Sequence, residues 1–189
     1  MTIHVIHNPE RQDRKELLDN VIKEHNLNVR FWPALFHLTH RFEGISRAHK
    51  QIVKWAKNNK LPCVCIAEDD FYITAKGGWE YFIQNIPSNY DLYLSSVYFG
   101  HIEEDGTCKD FCGFTLYMVH ERFYETFLST PNFGNIDRSM AKHKGVYKVC
   151  VPFIALQRDG MFSDNKQVVT NYKRHLKGRK IFGKSPDQE

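Results

Sequence analysis

The run Leu61-Pro62-Cys63-Val64-Cys65-Ile66-Ala67 carries no charge and stops abruptly at Glu68-Asp69-Asp70. A short, continuously apolar stretch of this kind fits a strand buried on both faces, as in a sheet that helices cover on each side. The flanking chain agrees. Thr2–His7 alternates around Ile3, Val5 and Ile6 and reads as a first strand that ends at Asn8-Pro9. Asn8 suits a helix N-cap and Pro9 a first helical position. Leu17, Leu18, Val21 and Ile22 continue at helical spacing to Glu24. Asn28–Trp32 reads as a second strand. Ile45–Asn58 reads as a second helix, with Ile45, Ala48, Ile52, Trp55 and Ala56 on its inner face. Beyond the acidic triplet, helices are predicted over Gly78–Asn85 and Glu121–Leu128, and strands over Asp91–Val97, Gly113–Val119 and Val146–Val151. This alternation predicts an α/β fold with a mainly parallel central sheet flanked by helices. Ligands of such sheets bind beyond the carboxyl ends of the strands. The Asn8-Pro9-Glu10-Arg11 turn and the Glu68-Asp69-Asp70 cluster both fall there.

The chain has 189 residues, 42% of them hydrophobic, with 14 Phe and 9 Tyr, which is ample material for one core. Residues 1–170 are read as a single domain. Its net charge of +4 is not spread evenly. Lys173, Arg174, Lys177, Arg179, Lys180 and Lys184 face only Asp187 and Glu189, so residues 171–189 form a basic tail and the body is neutral. No apolar run reaches the roughly 18–20 residues of a membrane span. No basic segment followed by an apolar one opens the chain. With an odd number of cysteines (Cys63, Cys65, Cys108, Cys112 and Cys150), these features lead us to expect reduced thiols in a cytoplasmic protein. Zinc is not expected, because Cys63 and Cys65 lie in an apolar strand. The Gly-rich loops of P-loop and dinucleotide-binding proteins are absent, as is a Gly-x-Ser-x-Gly elbow.

Several side chains are candidates for chemistry, each with a plainer alternative. Three adjacent carboxylates at the mouth of a buried strand repel one another unless a cation screens them, and hard oxygen ligands suit Mg²⁺ or Mn²⁺. The alternative is a solvated acidic loop. Arg11 and Arg14, at the start of the first helix, suit a phosphate or equally a charged surface with Glu10, Asp13 and Glu16. His49, inside the second helix, is by itself more simply structural. Asp137, in Asn135-Ile136-Asp137, reads as a residue of a capped helix. Asp164, in Ser163-Asp164-Asn165, reads as a turn former.

Taken together, the chain resembles glycosyltransferase family 25, the lipopolysaccharide-biosynthesis type. Four blocks carry the likeness in order: Ile6-His7-Asn8-Pro9-Glu10-Arg11-Gln12-Asp13-Arg14; Gly44–His49; Ile66-Ala67-Glu68-Asp69-Asp70; and a last set. That set comprises Gly113–Val119, Ile136-Asp137 and Pro152–Asp164, the latter with Gln157. The second block keeps the family's Gly and His but has Ile45 for its Cys and Ala48 for its Ser. The resemblance implies a GT-A type fold, a nucleotide-sugar donor (a UDP-sugar first among them) and transfer with inversion to a cell-surface glycan. It implies a divalent metal, commonly Mn²⁺, at Asp69 and Asp70, with Glu68 coordinating or orienting them. Asn8, Arg11, Arg14, His49 and Gln157 would lie on the donor side. Asp137 would be the base that takes the acceptor proton, with Asp164 second in line. Gln157 and Asp164 could instead complete the metal or donor site.

Two other classes compete. One is a sugar nucleotidyltransferase, which the missing Gly-rich loop disfavours. The other is a non-catalytic glycan- or nucleic-acid-binding protein using the tail; the neutral body weighs against nucleic acid. A degenerate, inactive transferase is a further alternative. Under the transferase reading, Tyr172, Leu176, Ile181 and Phe182 among the tail's charges would give a peripheral contact with the inner membrane face and its lipid-linked glycans. A solubilising tail is the alternative.

Overall fold

The computed structural model describes residues 1–36, 40–164 and 167–185; Asn165, Asp187 and Glu189 of the sequence argument lie outside them. In chain order the main elements are β1 (Ile3–His7), α1 (Gln12–Glu24), β2 (Val29–Pro33), α2 (Arg41–Asn58), β3 (Cys63–Glu68), β4 (Phe71–Ile73) and α3 (Gly78–Gln84). Then come β5 (Leu92–Leu94), β6 (Phe99–Ile102), β7 (Cys108–Cys112), β8 (Leu116–His120), α4 (Tyr124–Ser129), α5 (Ile136–Met140) and β9 (Tyr147–Val149). Short strands β10 (Ala155–Gln157), β11 (Phe162–Ser163) and β12 (Val168–Val169) follow.

The central sheet has six strands in the order β2-β1-β3-β8-β5-β9. Five run parallel, and β8 runs against them between β3 and β5. The expected mixed α/β architecture with a mostly parallel sheet is therefore present. The apolar run around Cys63 is its central strand β3, and the pleat explains why the run does not alternate. Val64 and Ile66 enter one core with Ile52, Val53, Ala56, Leu92, Leu94, Tyr117 and Val119. Cys65 and Ala67 enter the other with Ile3, Val5, Leu18, Val21, Tyr93 and Met118. Period-2 geometry sends successive side chains to opposite faces, and here both faces are covered.

Three local expectations are corrected. Asn8 does not cap a helix beginning at Pro9. Its Oδ1 accepts from the Glu10 amide at 3.1 Å, a tight turn forms, and α1 begins at Gln12. The predicted strand over Gly113–Val119 is β8, displaced to Leu116–His120 and antiparallel, because alternation reports burial and not direction.

The third concerns the basic segment, which is no loose appendage over its described length. Tyr172 lies 4.8 Å from Tyr98, ring centre to ring centre, and Phe182 lies 5.0 Å from Tyr81. Leu176 and Ile181 are buried in the first core. The Phe153 amide donates to the Lys180 carbonyl at 2.8 Å, and the Phe182 amide to the Phe153 carbonyl at 2.9 Å. The apolar side chains expected to meet a membrane are thus turned into the body. Among the described residues, no helix is long and apolar enough to cross a bilayer.

Candidate active site

β1 and β3 are parallel neighbours, so their carboxyl ends open at the same edge of the sheet. That edge receives Asn8 and Arg14 from one strand's continuation and Glu68-Asp69-Asp70 from the other. β8 is antiparallel and begins where β3 ends: Ala67 pairs with Leu116, and the Glu68 amide donates to the Thr115 carbonyl at 3.1 Å. The Gly113-Phe114-Thr115 approach to β8 is thereby delivered to the same mouth. β4 and β10 pair with Phe71 opposite Gln157, which brings Gln157 beside the acidic cluster.

The result is one cleft of about 680 Å³. Asn8, Arg14, His49, Glu68, Asp69, Asp70, Asp137, Gln157 and Asp164 all line it. Arg11 does not line it. Its Nη1 reaches Asp164 Oδ1 at 2.9 Å and the Phe162 carbonyl at 3.0 Å, so it buttresses the wall from behind.

The three acids have different partners. Asp69 is saturated: Arg14 Nη1 donates to Oδ1 at 2.6 Å, and His7 Nδ1 donates to Oδ2 at 2.8 Å. Arg14 also stands 3.6 Å from Asp70 Oδ2. Burial works against the Arg14 charge, but Asp70 and Asp69 outweigh it and hold the guanidinium more firmly protonated than a free arginine. Glu68 and Asp70 turn to Gln157, whose amide nitrogen donates to them at 2.6 and 3.3 Å. Burial pushes Glu68 up to about 7, and the charge of Asp137 adds to it. Some 30% of the Glu68 side chain nonetheless faces the open cleft. Asp70 is pushed up to about 7 by burial and then by the Glu68 charge.

His49 is buried on α2, and burial pulls its imidazole down to about 4 against the opposing pull of Asp137. Tyr117, fully buried, is held protonated well above the ordinary phenol range by burial. With both groups neutral, the Tyr117 hydroxyl donates to His49 Nδ1 at 2.7 Å. That bond turns Nε2 toward Glu68 Oε1, 3.6 Å away. The histidine therefore forms the inner wall behind Glu68.

Asp137 lies in the first turn of α5, and its Oδ2 accepts from the Gly113 amide at 2.7 Å. Gly113 has φ +128°, and a Cβ there would stand 3.0 Å from Tyr98 Cδ2, so glycine is what allows this amide to meet the carboxylate. Asp164, paired with Arg11, is less available as a base than Asp137.

Asp69 and Asp70 were expected to hold a divalent ion, and in this arrangement their carboxylates are engaged by other side chains. A Mg²⁺- or Mn²⁺-type ion takes one or two carboxylates with open lone pairs, beside water and substrate phosphates. Both Asp69 oxygens are taken, Arg14 already stands between Asp69 and Asp70, and among the described residues no three His, Cys, Asp or Glu side chains gather to hold a metal. The chain's own guanidinium answers the repulsion that suggested a metal.

Sequence reasoning gave no role to His7 and Tyr117, which hold Asp69 and His49, and missed Tyr98 and the wall of Thr170, Asn171, Tyr172, Arg174 and His175. His7 lies inside the quoted opening block, and the strand's alternation already pointed it away from Ile6. Nothing local marks the wall, whose place depends on the chain folding back over the cleft.

No protein-family model matches the chain, and no curated protein sequence matches it significantly. Solved structures do resemble it. The structure of HddC from Yersinia pseudotuberculosis complexed with GMP-PN is 13% identical, with a TM-score of 0.48, over 82% of this chain and 92% of that one. A197 from STIV is 13% identical, with a TM-score of 0.49, over 90% of this chain and 94% of that one. A glycosyltransferase involved in the glycosylation of the major capsid of PBCV-1 is 16% identical, with a TM-score of 0.53, over 99% of this chain and 95% of that one. The chain therefore has the fold of that glycosyltransferase along its whole length.

Proposed function

We propose that the chain is a glycosyltransferase of GT-A type that moves a sugar from a nucleotide-sugar donor to a glycan hydroxyl. One observation carries this reading. Asn8, Arg14, His49, Glu68, Asp137, Gln157 and Asp164, drawn from the chain's beginning, middle and end, converge on a single cleft at the carboxyl ends of β1 and β3. The fold shared with a capsid glycosyltransferase supports it.

Within that cleft Gln157, Glu68 and Asp70 form a hydrogen-bonding floor suited to sugar hydroxyls. Asp137 is the base. Its carboxylate is positioned by the Gly113 amide and is free of any ion-pair partner among the described residues. Asp164 keeps a structural pairing with Arg11.

A panel of UDP-, GDP- and CMP-sugars tests the reading by thermal shift and by transfer or hydrolysis. One donor should raise the melting temperature and turn over. Asp137→Asn should retain donor binding while kcat falls about 10²–10⁴-fold, the range expected for loss of a general base. If no nucleotide-sugar binds, the proposal fails.

A further inference from the structure

The basic segment is the one sequence feature that the proposed function leaves unused, and part of it reaches the cleft. Arg174 and His175 line the mouth. Their position is fixed. Asp159 Oδ1 accepts from the Tyr172 amide and, at 3.3 Å, from the Lys173 amide. The Tyr172 ring rests on Tyr98, His175 lies 4.4 Å from Phe99 between ring centres, and Leu176 is buried just behind.

The charges around the cleft make this position informative. Glu10, Glu68, Asp69, Asp70, Asp137 and Asp164 all line it. Arg14 is committed to Asp69 and Asp70, and Arg11 to Asp13 and Asp164. An acidic cleft repels a diphosphate unless it presents a cation that is not already spent. Arg174 is exposed, and its Nε hydrogen-bonds only to His175 Nε2, at 3.0 Å. No carboxylate pairs with it among the described residues. Its terminal nitrogens keep the fork geometry that matches phosphate oxygens.

We propose that Arg174 binds the diphosphate of the donor nucleotide and neutralises it as the leaving group. The inference rests on the transferase reading above. During transfer the bond between the anomeric carbon and the β-phosphate oxygen breaks, and its electron pair stays on that oxygen beside Arg174. The acceptor oxygen bonds the same carbon, and its proton passes to Asp137.

The test measures binding of UDP, GDP, inorganic pyrophosphate and the matching nucleosides to the full chain at two salt concentrations. Arg174→Gln should weaken the diphosphates about ten- to hundredfold, as loss of a charge-assisted hydrogen bond does. Nucleoside binding should hold, and the salt dependence should flatten. Arg174→Lys should keep most of the affinity. Two results overturn the inference: Arg174→Gln binding diphosphates as the wild type does, or losing nucleosides in parallel. If the wild type transfers sugar and Arg174→Gln is unaffected, the inference alone fails. If the wild type binds no diphosphate, the inference fails, and transfer or hydrolysis across the nucleotide-sugar panel decides the transferase reading separately.

Discussion

His4 is neutral because its neighbours require it to be. Trp32 Nε1 donates to His4 Nδ1 at 2.8 Å, which needs an unprotonated nitrogen there. Burial, and then the charge of Arg30, pull the imidazole down to about 4. Arg30 itself lies 4.8 Å above Trp32 and 4.7 Å above Trp55. The folded value lies below the ordinary 6.5, so the unfolded chain takes up the proton first. The stabilisation is therefore complete above pH 6.5 and is lost as pH falls toward 4. His49 works in the same direction over this window, while Glu68 and Asp70, raised to about 7, work against both, so the His4 contribution is read as a difference between proteins. His4→Asn, which keeps an acceptor, should lose less stability than the wild type between pH 6.5 and 4, by on the order of 1–2 kcal/mol; identical pH dependence in the two proteins would remove His4 as a source. At this scale the resemblance, and not the local chemistry, singled out Asp137, Gln157 and Asp164, all of which reach the cleft. The sequence was misleading for Asn8, whose capping chemistry is the same in a turn as at a helix end.

At the scale of elements, the segment from Tyr172 to Phe182 does structural work that its composition conceals. A count of lysines and arginines describes its outer surface. Its attachment comes from Leu176 and Ile181, which are 8% and 6% exposed. Leu176→Ala should cost about 2–5 kcal/mol, the usual range for a buried leucine, and be read as a lowered urea midpoint. A cost near zero would mean the segment is only loosely attached in solution. α2 was readable because burial on one face imposes an apolar period, and β3 because burial on both faces makes the whole strand apolar. The β4–β10 pair was not, since its partners lie far apart in sequence, whereas the β6–β7 hairpin carries an Asp105-Gly106 turn signal that the sequence reading passed over.

At the scale of the molecule, the cleft holds its acids together with a guanidinium and with Gln157. Mn²⁺ added alone should accordingly leave the melting temperature where it was. A protein-built site would instead add about 4 kcal/mol at a thousandfold excess over its Kd. A clear upward shift with Mn²⁺ would restore the metal reading of Asp69 and Asp70. The sequence order of the sheet has a separate bearing on how the chain comes to be folded. β3 ends at Glu68, yet the strand that covers its free edge begins only at Leu116. β5 waits for the same strand. A nascent chain leaving the ribosome must therefore carry two open apolar edges until His120 has emerged, the state most exposed to misassociation. No fragment that stops before β8 can complete the sheet, and the acidic mouth forms only once the strand that closes it has been made.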